Sequence, residues 1–418
     1  MPARLAVVVD TFPRWSERFI ARECRELLRR GAEVTLFALR KGALPFGADP
    51  EFEPFLPRLR VLPASLSAAM TGLTGLLRKR RTEALVAVRE ELGLAGVART
   101  ARAMQLAAWL REGHFTHIHA HFANWPSTLA WLAACEAGVP FTFSVHARDL
   151  FLEAQLLGEK ARDALAVFAC HARARERLGE VPSAKGKAVL MHHGLPLEDF
   201  PFREPDAHVA QPPSAVRERR AGEGAGATPA KGGGEGAPRE VLVAGRFVAK
   251  KGLSDLLAAL DTPALKARPL RVTFVGDGPE RAALERRIGK RGLADRARIV
   301  RPESGQALRQ RLLSAALLVV PYREAPDGDR DGLPNVVLEA FALGVPVVGT
   351  DAGGLPEILK PETGCVARRG DPESLAREIA ACLDDPAGVA RKVRAARRHV
   401  EAHHDIRRTI EPLWKVLG

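Results

Sequence analysis

The chain has 418 residues, 46% of them hydrophobic, and carries 63 Lys and Arg against 50 Asp and Glu for a net charge of +13. This length and apolar content support about two domains with large cores. Five cysteines without C-x-x-C spacing argue against a disulfide framework or a zinc site and fit a reducing compartment. The charge excess suits nucleic acid, an anionic membrane surface or phosphorylated substrates, and genomic bias toward Arg and Ala is a further source of it. Nucleic acid fits least, because no binding module is recognisable and the basic stretches lack interleaved aromatic residues.

Leu5–Val9 reads as a strand, too short and too soon ended by Asp10 for a signal peptide. Asp10–Glu17 is a loop, Phe19–Arg30 an amphipathic helix stopped at Gly31, and Glu33–Leu39 the next strand. This is the β-α-β opening of a doubly wound domain. No G-x-G-x-x-G follows the first strand, so a nicotinamide or flavin site lacks its main signal. Ser16 suits a cap for the helix, with Glu17 in its first turn.

Phe52–Leu110 reads as mostly helical. Within it Leu73, Leu76 and Leu77 precede the basic cluster Arg78-Lys79-Arg80-Arg81, either a membrane-surface segment or a solvated helix face. His117, His119 and His121 alternate on one side of a strand, but no carboxylate or Cys partner stands nearby in sequence to complete a metal site. Thr128–Val145 is a helix then a strand, interrupted by Glu136, Gly138 and Pro140 and too short to span a membrane. His146 and Asp149 follow the end of the strand Val139–Val145, where open α/β sheets bind ligands. Cys170–Gly194 carries another strand and loop. Pro205–Pro238 is rich in Gly and Pro with almost no large apolar residue, and cannot support a core.

Glu240–Lys251 restarts the fold with a strand, a turn at Gly245, then Arg246, Lys250 and Lys251. Val272–Glu280 is a strand ending in Gly276-Asp277-Gly278-Pro279, glycines that let the chain approach a ligand closely. Ala297–Val300 and Ala315–Pro321 are further strands, and Asp327-Gly328-Asp329 reads as an acidic loop rather than a D-x-D metal motif. Asp331–Glu357 then packs in a turn at Gly332-Leu333-Pro334, a helix over Asn335–Leu343 stopped by Gly344, a strand over Val345–Thr350 and a loop at Gly353-Gly354. Backbone N–H groups of Gly332 to Asn335 pointing from that helix end would attract phosphate. Asp331 before the helix and Glu339 inside it are placed to accept hydrogen bonds from hydroxyls, so the end suits a diphosphate with a sugar on either side. Asp371–Leu383 is a helix and Val400–Leu417 a final one.

Asp331-x7-Glu339, followed by G-x-P-V-V at Gly344–Val348 and G-G-x-P-E at Gly353–Glu357, resembles the donor site of family-4 retaining glycosyltransferases of the GT-B fold. Gly245-Arg246 with Lys251-Gly252, Gly276-x-Gly278-Pro279, and His119-Ala120-His121-Phe122 are similar to the family as well, and Val189–Phe200 resembles its crossing between domains. Around the first helix, Ser16, Glu17, Phe19 and Ile20 match the exopolysaccharide, colanic-acid-type branch, with Arg18 in place of its Thr. Many relatives have Glu where this chain has Asp331.

The resemblance implies an α/β protein of two doubly wound, Rossmann-like domains facing a central cleft. Residues 1–204 would form the acceptor side, 205–238 a flexible insert or linker, 239–395 the nucleotide-sugar domain, and 396–418 a helix packing back on the first domain. It implies that Asp331 and His146 hold the hexose and Glu339 the ribose. Arg246, Lys251 and the helix end at Gly332, Leu333, Pro334 and Asn335 would hold the diphosphate, with Gly245, Gly276, Asp277 and Gly278 beside the nucleotide and Ser16 and Glu17 toward the acceptor. The implied reaction moves a hexose from a UDP- or GDP-sugar to a glycan or polyprenyl-linked acceptor, with retention and without metal or cofactor, in the cytoplasm or at the inner membrane face. A sugar-phosphate synthase, for which Arg14 and Arg18 would bind the acceptor phosphate, and a non-catalytic nucleotide- or glycan-binding paralogue are the alternatives.

Overall fold

A computed structural model describes residues 2–62, 83–84, 86–93, 101–204 and 238–418. The cluster Arg78–Arg81 and nearly all of the Gly/Pro-rich insert lie outside the described residues.

Two parallel sheets organise the chain. The first takes β1 (Arg4–Phe12), β2 (Glu33–Lys41), β3 (Leu59–Val61), β4 (His117–His121), β5 (Phe141–Val145), β6 (Ala166–Ala169) and β7 (Ala188–Leu190) in the order β3-β2-β1-β4-β5-β6-β7. The second takes β8 (Arg239–Ala244), β9 (Leu270–Val275), β10 (Ala297–Val300), β11 (Leu317–Val320), β12 (Val347–Thr350) and β13 (Cys365–Ala367) in the order β10-β9-β8-β11-β12-β13. Helices cover both faces of each sheet, so the inner strands are apolar on both sides: Leu5–Val9 and Leu317–Val320 are at most 1% exposed. Strand order reverses between β1 and β4 and between β8 and β11. A crevice opens at such switch points, beyond the C-terminal ends of the strands.

Three local expectations are corrected. β1 runs on to Phe12, and Leu59–Val61 inside the supposedly helical stretch is an edge strand paired with Leu36–Ala38. Three residues are too few to show a period, and pairing with β2 decides their state. The last segment is not one helix. Pro386–His403 is followed by a break, where the Asp405 carboxylate caps Ile406–Thr409, and Pro412, which has no amide hydrogen to donate, opens Glu411–Leu417.

The chain changes domain at that break, after His403 rather than at residue 396. Ile410 and Leu413 join the core of Leu5 and Val7, while Leu195 and Phe200 join the core of the second domain. The two crossings bond to each other: Leu195 N–H donates to His404 O at 2.7 Å and Ile406 N–H to Leu195 O at 2.9 Å. A Cβ at Gly194 would lie 2.2 Å from Thr409 Oγ1, so only glycine lets the crossings touch.

Candidate active site

A cavity of about 540 Å³ lies where the C-terminal ends of the two sheets face each other. Phe122, His146 and Cys170 each directly follow β4, β5 and β6, and Gly245 follows β8; all four line it. Parallel strands deliver their following residues to one edge, so positions distant in sequence meet there. Ser16, Glu17, Arg246, Lys251, Asp331, Gly332, Leu333, Pro334, Asn335 and Glu339 line the same cavity. Gly276, Asp277 and Gly278 do not. They buttress the next loop: Phe247 N–H donates to Asp277 O at 2.8 Å, and a Cβ on Gly276 would fall 1.9 Å from Gly245 O.

The helix Asn335–Leu343 points its N-terminus into the cavity. Pro334 occupies its cap position without a side-chain cap, which leaves the first amide groups available to an anion. The Gly353-Gly354 loop supports this end from below, since Gly354 N–H donates to Asp331 O at 3.0 Å and a Cβ there would lie 2.7 Å from Gly332 O. Asp331 pairs with Lys251 and, at 3.2 Å, with Lys250, and Lys251 Nζ sits 3.9 Å over the Tyr322 ring. Burial lowers the pKa of Lys251 against the pull of Asp331. Burial alone would raise Asp331, but the two lysines outweigh it and hold the carboxyl below its ordinary range. In the D-x-D loop, Asp329 is consumed by Lys250 and Arg148, each at 3.0 Å.

Opposite stands the first helix. Trp15–Glu17 is a 3-10 turn and the α-helix begins at Arg18, so Ser16 is not its cap. Glu17 pairs with Arg14 at 2.9 Å and keeps Oε2 buried without a hydrogen-bond partner. Burial pushes its carboxyl up to about 7, against the pull of Arg14 and of Arg246 across the cleft. Arg18 donates to Glu303 O at 2.6 Å and meets Asp49 at 3.3 Å. Arg22 reaches Glu51 at 3.0 Å and Glu339 at 2.7 Å, and Glu51 also takes Arg309 at 2.9 Å. Burial disfavours the Arg22 charge, yet Glu51 and Glu339 hold its pKa above the ordinary value.

The histidines at the strand ends serve different ends. His117 and His119 both bond Thr142 Oγ1, at 2.8 and 2.9 Å, and His119 also reaches Ser144, so they serve the sheet. His121 does have an acid near it, Glu23 Oε2 at 3.7 Å, which comes from the first helix rather than from its own sequence neighbourhood. His146 and His193 line the cleft and the His171 ring packs behind Gly332, and burial keeps all three imidazoles neutral by pushing their pKa well down. The His146 amide donates to Asp149, which also takes Ala123 N–H at 2.7 Å, and this fixes the backbone that carries the imidazole. Arg22, Cys170 and His193 also line the cavity and are not among the site residues the sequence points to. His192-His193 stood within the recognisable crossing motif, but Arg22 is one arginine among many on a helix and carried no signal.

Two parallel α/β domains with their strand ends opposed across one such cleft constitute the GT-B architecture of glycosyltransferases. Solved structures agree in fold: Anabaena Alr3699/HepE, in complex with UDP and glucose, superposes with a TM-score of 0.69 over 100% of this chain and 99% of that one at 16% identity. The family models for Glycosyltransferase Family 4 and Glycosyl transferases group 1 match residues 16–199 and 238–385. The D-inositol 3-phosphate glycosyltransferase of Streptomyces avermitilis is 30% identical over 346 residues, 75% of this chain and 67% of that one. The amylovoran biosynthesis glycosyltransferase AmsK of Erwinia amylovora is 30% identical over 165 residues, 39% of this chain and 40% of that one. The chain belongs to the group 1, family-4 glycosyltransferases. Among the described residues, no helix is long and apolar enough to cross a membrane.

Proposed function

We propose that this chain transfers a hexose from a nucleotide-diphosphate sugar to a hydroxyl of a glycan or lipid-linked glycan, with retention, in polysaccharide synthesis. One observation carries the reading: Asp331 and Glu339 bracket the open N-terminus of the helix Asn335–Leu343, with Lys251 against Asp331, in a single cleft. The helix end, Arg246 and Lys251 hold and neutralise the diphosphate. As the diphosphate takes over Lys251, Oδ2 of Asp331 is freed to accept from hexose hydroxyls beside His146 while Oδ1 keeps Lys250. Ribose hydroxyls compete with Arg22 for Glu339. Charge on the leaving nucleotide is met by cations of the chain itself, and the acceptor hydroxyl attacks the face the nucleotide leaves, which preserves the anomeric configuration. Ser16 and Glu17 face the acceptor.

A phosphorylated acceptor is less well served. Arg18 is committed to Asp49 and Glu303, and Arg14 to Glu17. The charge of the chain favours a cytoplasmic enzyme touching the anionic inner face of the membrane.

The test is donor hydrolysis without acceptor. UDP- and GDP-sugars are offered in turn, with EDTA present, and free nucleotide is followed by chromatography. Slow release from one donor, abolished by Glu339→Ala or Lys251→Ala, supports the reading and identifies the sugar. Nucleotide binding with no release, even after lipid-extract acceptor is added, supports a non-catalytic paralogue instead.

A further inference from the structure

We infer that the cleft contains a soft divalent-cation site formed by the imidazoles of His146 and His193 and the thiolate of Cys170, and that zinc bound there competes with the donor sugar. The ligands come from the ends of β5 and β6 and from the loop after β7, and their donor atoms lie within 4.8 Å of one another. His146 is 8% exposed, Cys170 4% and His193 6%. Nε2 of both histidines is buried without a hydrogen-bond partner. Such orphans are uncommon and ask for an occupant.

The surroundings suit a metal. His193 Nδ1 donates to Asn335 Oδ1 at 3.1 Å, which leaves the lone pair on Nε2. An outer hydrogen bond of this kind orients metal-bound imidazoles generally. Phe19 stacks on the His193 ring with centroids 4.1 Å apart and holds its plane. Burial chiefly, with Asp149 and Glu357, holds the Cys170 thiol protonated in the free chain, so the cation must displace that proton on binding. Two nitrogens and one sulfur select zinc-class ions over magnesium or calcium. Three protein ligands with a fourth position toward the cavity make an open site. Binding forms two N–metal bonds and one S–metal bond, and the thiol proton leaves to solvent. The competition half of this inference rests on the donor site proposed above, because it is His146 that the hexose would lose. The metal site itself does not rest on it.

The experiment has two arms. The purified chain is titrated with Co²⁺ alone, following the thiolate-to-cobalt charge-transfer band and the visible bands of a tetrahedral site. Saturation at one equivalent is expected, with the band lost in C170S, retained in C365S and displaced by Zn²⁺. No band, or a band that survives C170S, overturns the site. Should C170S fail to fold, cobalt protection of Cys170 from alkylation in the unaltered chain, read by mass spectrometry, decides the same point. In the second arm, zinc is expected to slow nucleotide release at least tenfold, reversibly with EDTA, while C170S is insensitive relative to its own metal-free rate. A Cys170-dependent band without inhibition overturns the competition and leaves the site standing. If no donor turns over at all, the donor reading fails and the cobalt arm alone decides the metal site.

Discussion

Arg22 Nη2 in the first domain lies 2.7 Å from Glu339 Oε1 in the second, and both side chains are nearly excluded from water. The two residues join the domains at the position proposed for the ribose. Arg22 also carries Glu51 at 3.0 Å. Arg22→Ala therefore strands the buried Glu339 carboxylate, leaves Glu51 with Arg309 alone, and should cost about 3–5 kcal/mol of unfolding free energy. Glu339→Ala should cost less, because Arg22 keeps Glu51. Urea unfolding of both variants checks this, and equal losses would contradict the shared-arginine account.

Lys251 is the cation proposed above to meet the departing diphosphate. Lys251→Met should lower the rate of nucleotide release by about 10²–10³-fold, the loss seen when one pre-organised charge stabiliser is removed. Folding should survive, because Asp331 keeps Lys250 at 3.2 Å. A rate within threefold of the parent would remove Lys251 from the mechanism.

Two glycines give opposite expectations. At Gly276 a Cβ would meet Gly245 O at 1.9 Å, so Gly276→Ala should displace the Gly245-Arg246 loop and weaken nucleotide binding at least tenfold. At Gly289, in the helix Arg281–Lys290, a Cβ meets nothing within 4 Å. Gly289→Ala should add about 0.5–1 kcal/mol of stability through helix propensity alone. Thermal unfolding and calorimetric UDP or GDP titration separate the two effects.

Burial pushes the Glu23 carboxyl up from 4.5 to about 8. Its folded-state pKa is raised, so its stabilising contribution is complete below pH 4.5 and disappears as pH rises through about 8. Glu23→Gln should flatten the decline in melting temperature across that window. The buried histidines act in the other direction: His117 and His171 are lowered to about 4, so stability falls below pH 6.5 as their unfolded forms take up protons. That acid limb should persist in the variant. An unchanged slope between pH 5 and 8 would show that Glu23 is ionised in the fold.

Ser16 faces the cleft and does not cap the first helix. Ser16→Ala should leave stability within about 0.5 kcal/mol, below the usual cost of losing a cap. The acceptor KM should rise while the donor KM stays put.

Local chemistry determined much of this protein. Pro334 and Gly344 mark the ends of the helix Asn335–Leu343 because a proline suits a helix start and a glycine a left-handed stop, and neither depends on distant residues. The apolar runs Leu5–Val9 and Val347–Thr350 identify strands buried on both faces, and alternation of such strands with helices identifies a doubly wound chain. The acids at Asp331 and Glu339 were legible because their spacing about one helix start is a local property.

Partnership was not legible. That Glu339 meets Arg22, that Glu23 stands beside His121, and that His146, Cys170 and His193 converge depends on how two sheets turn their strand ends toward one cleft. The sequence separations involved run to hundreds of residues, and no local pattern encodes which arginine among many reaches across. Short Leu59–Val61 and the break at His404-Asp405 were likewise decided by tertiary pairing, since a three-residue edge strand and a domain crossing take their state from what they pack against.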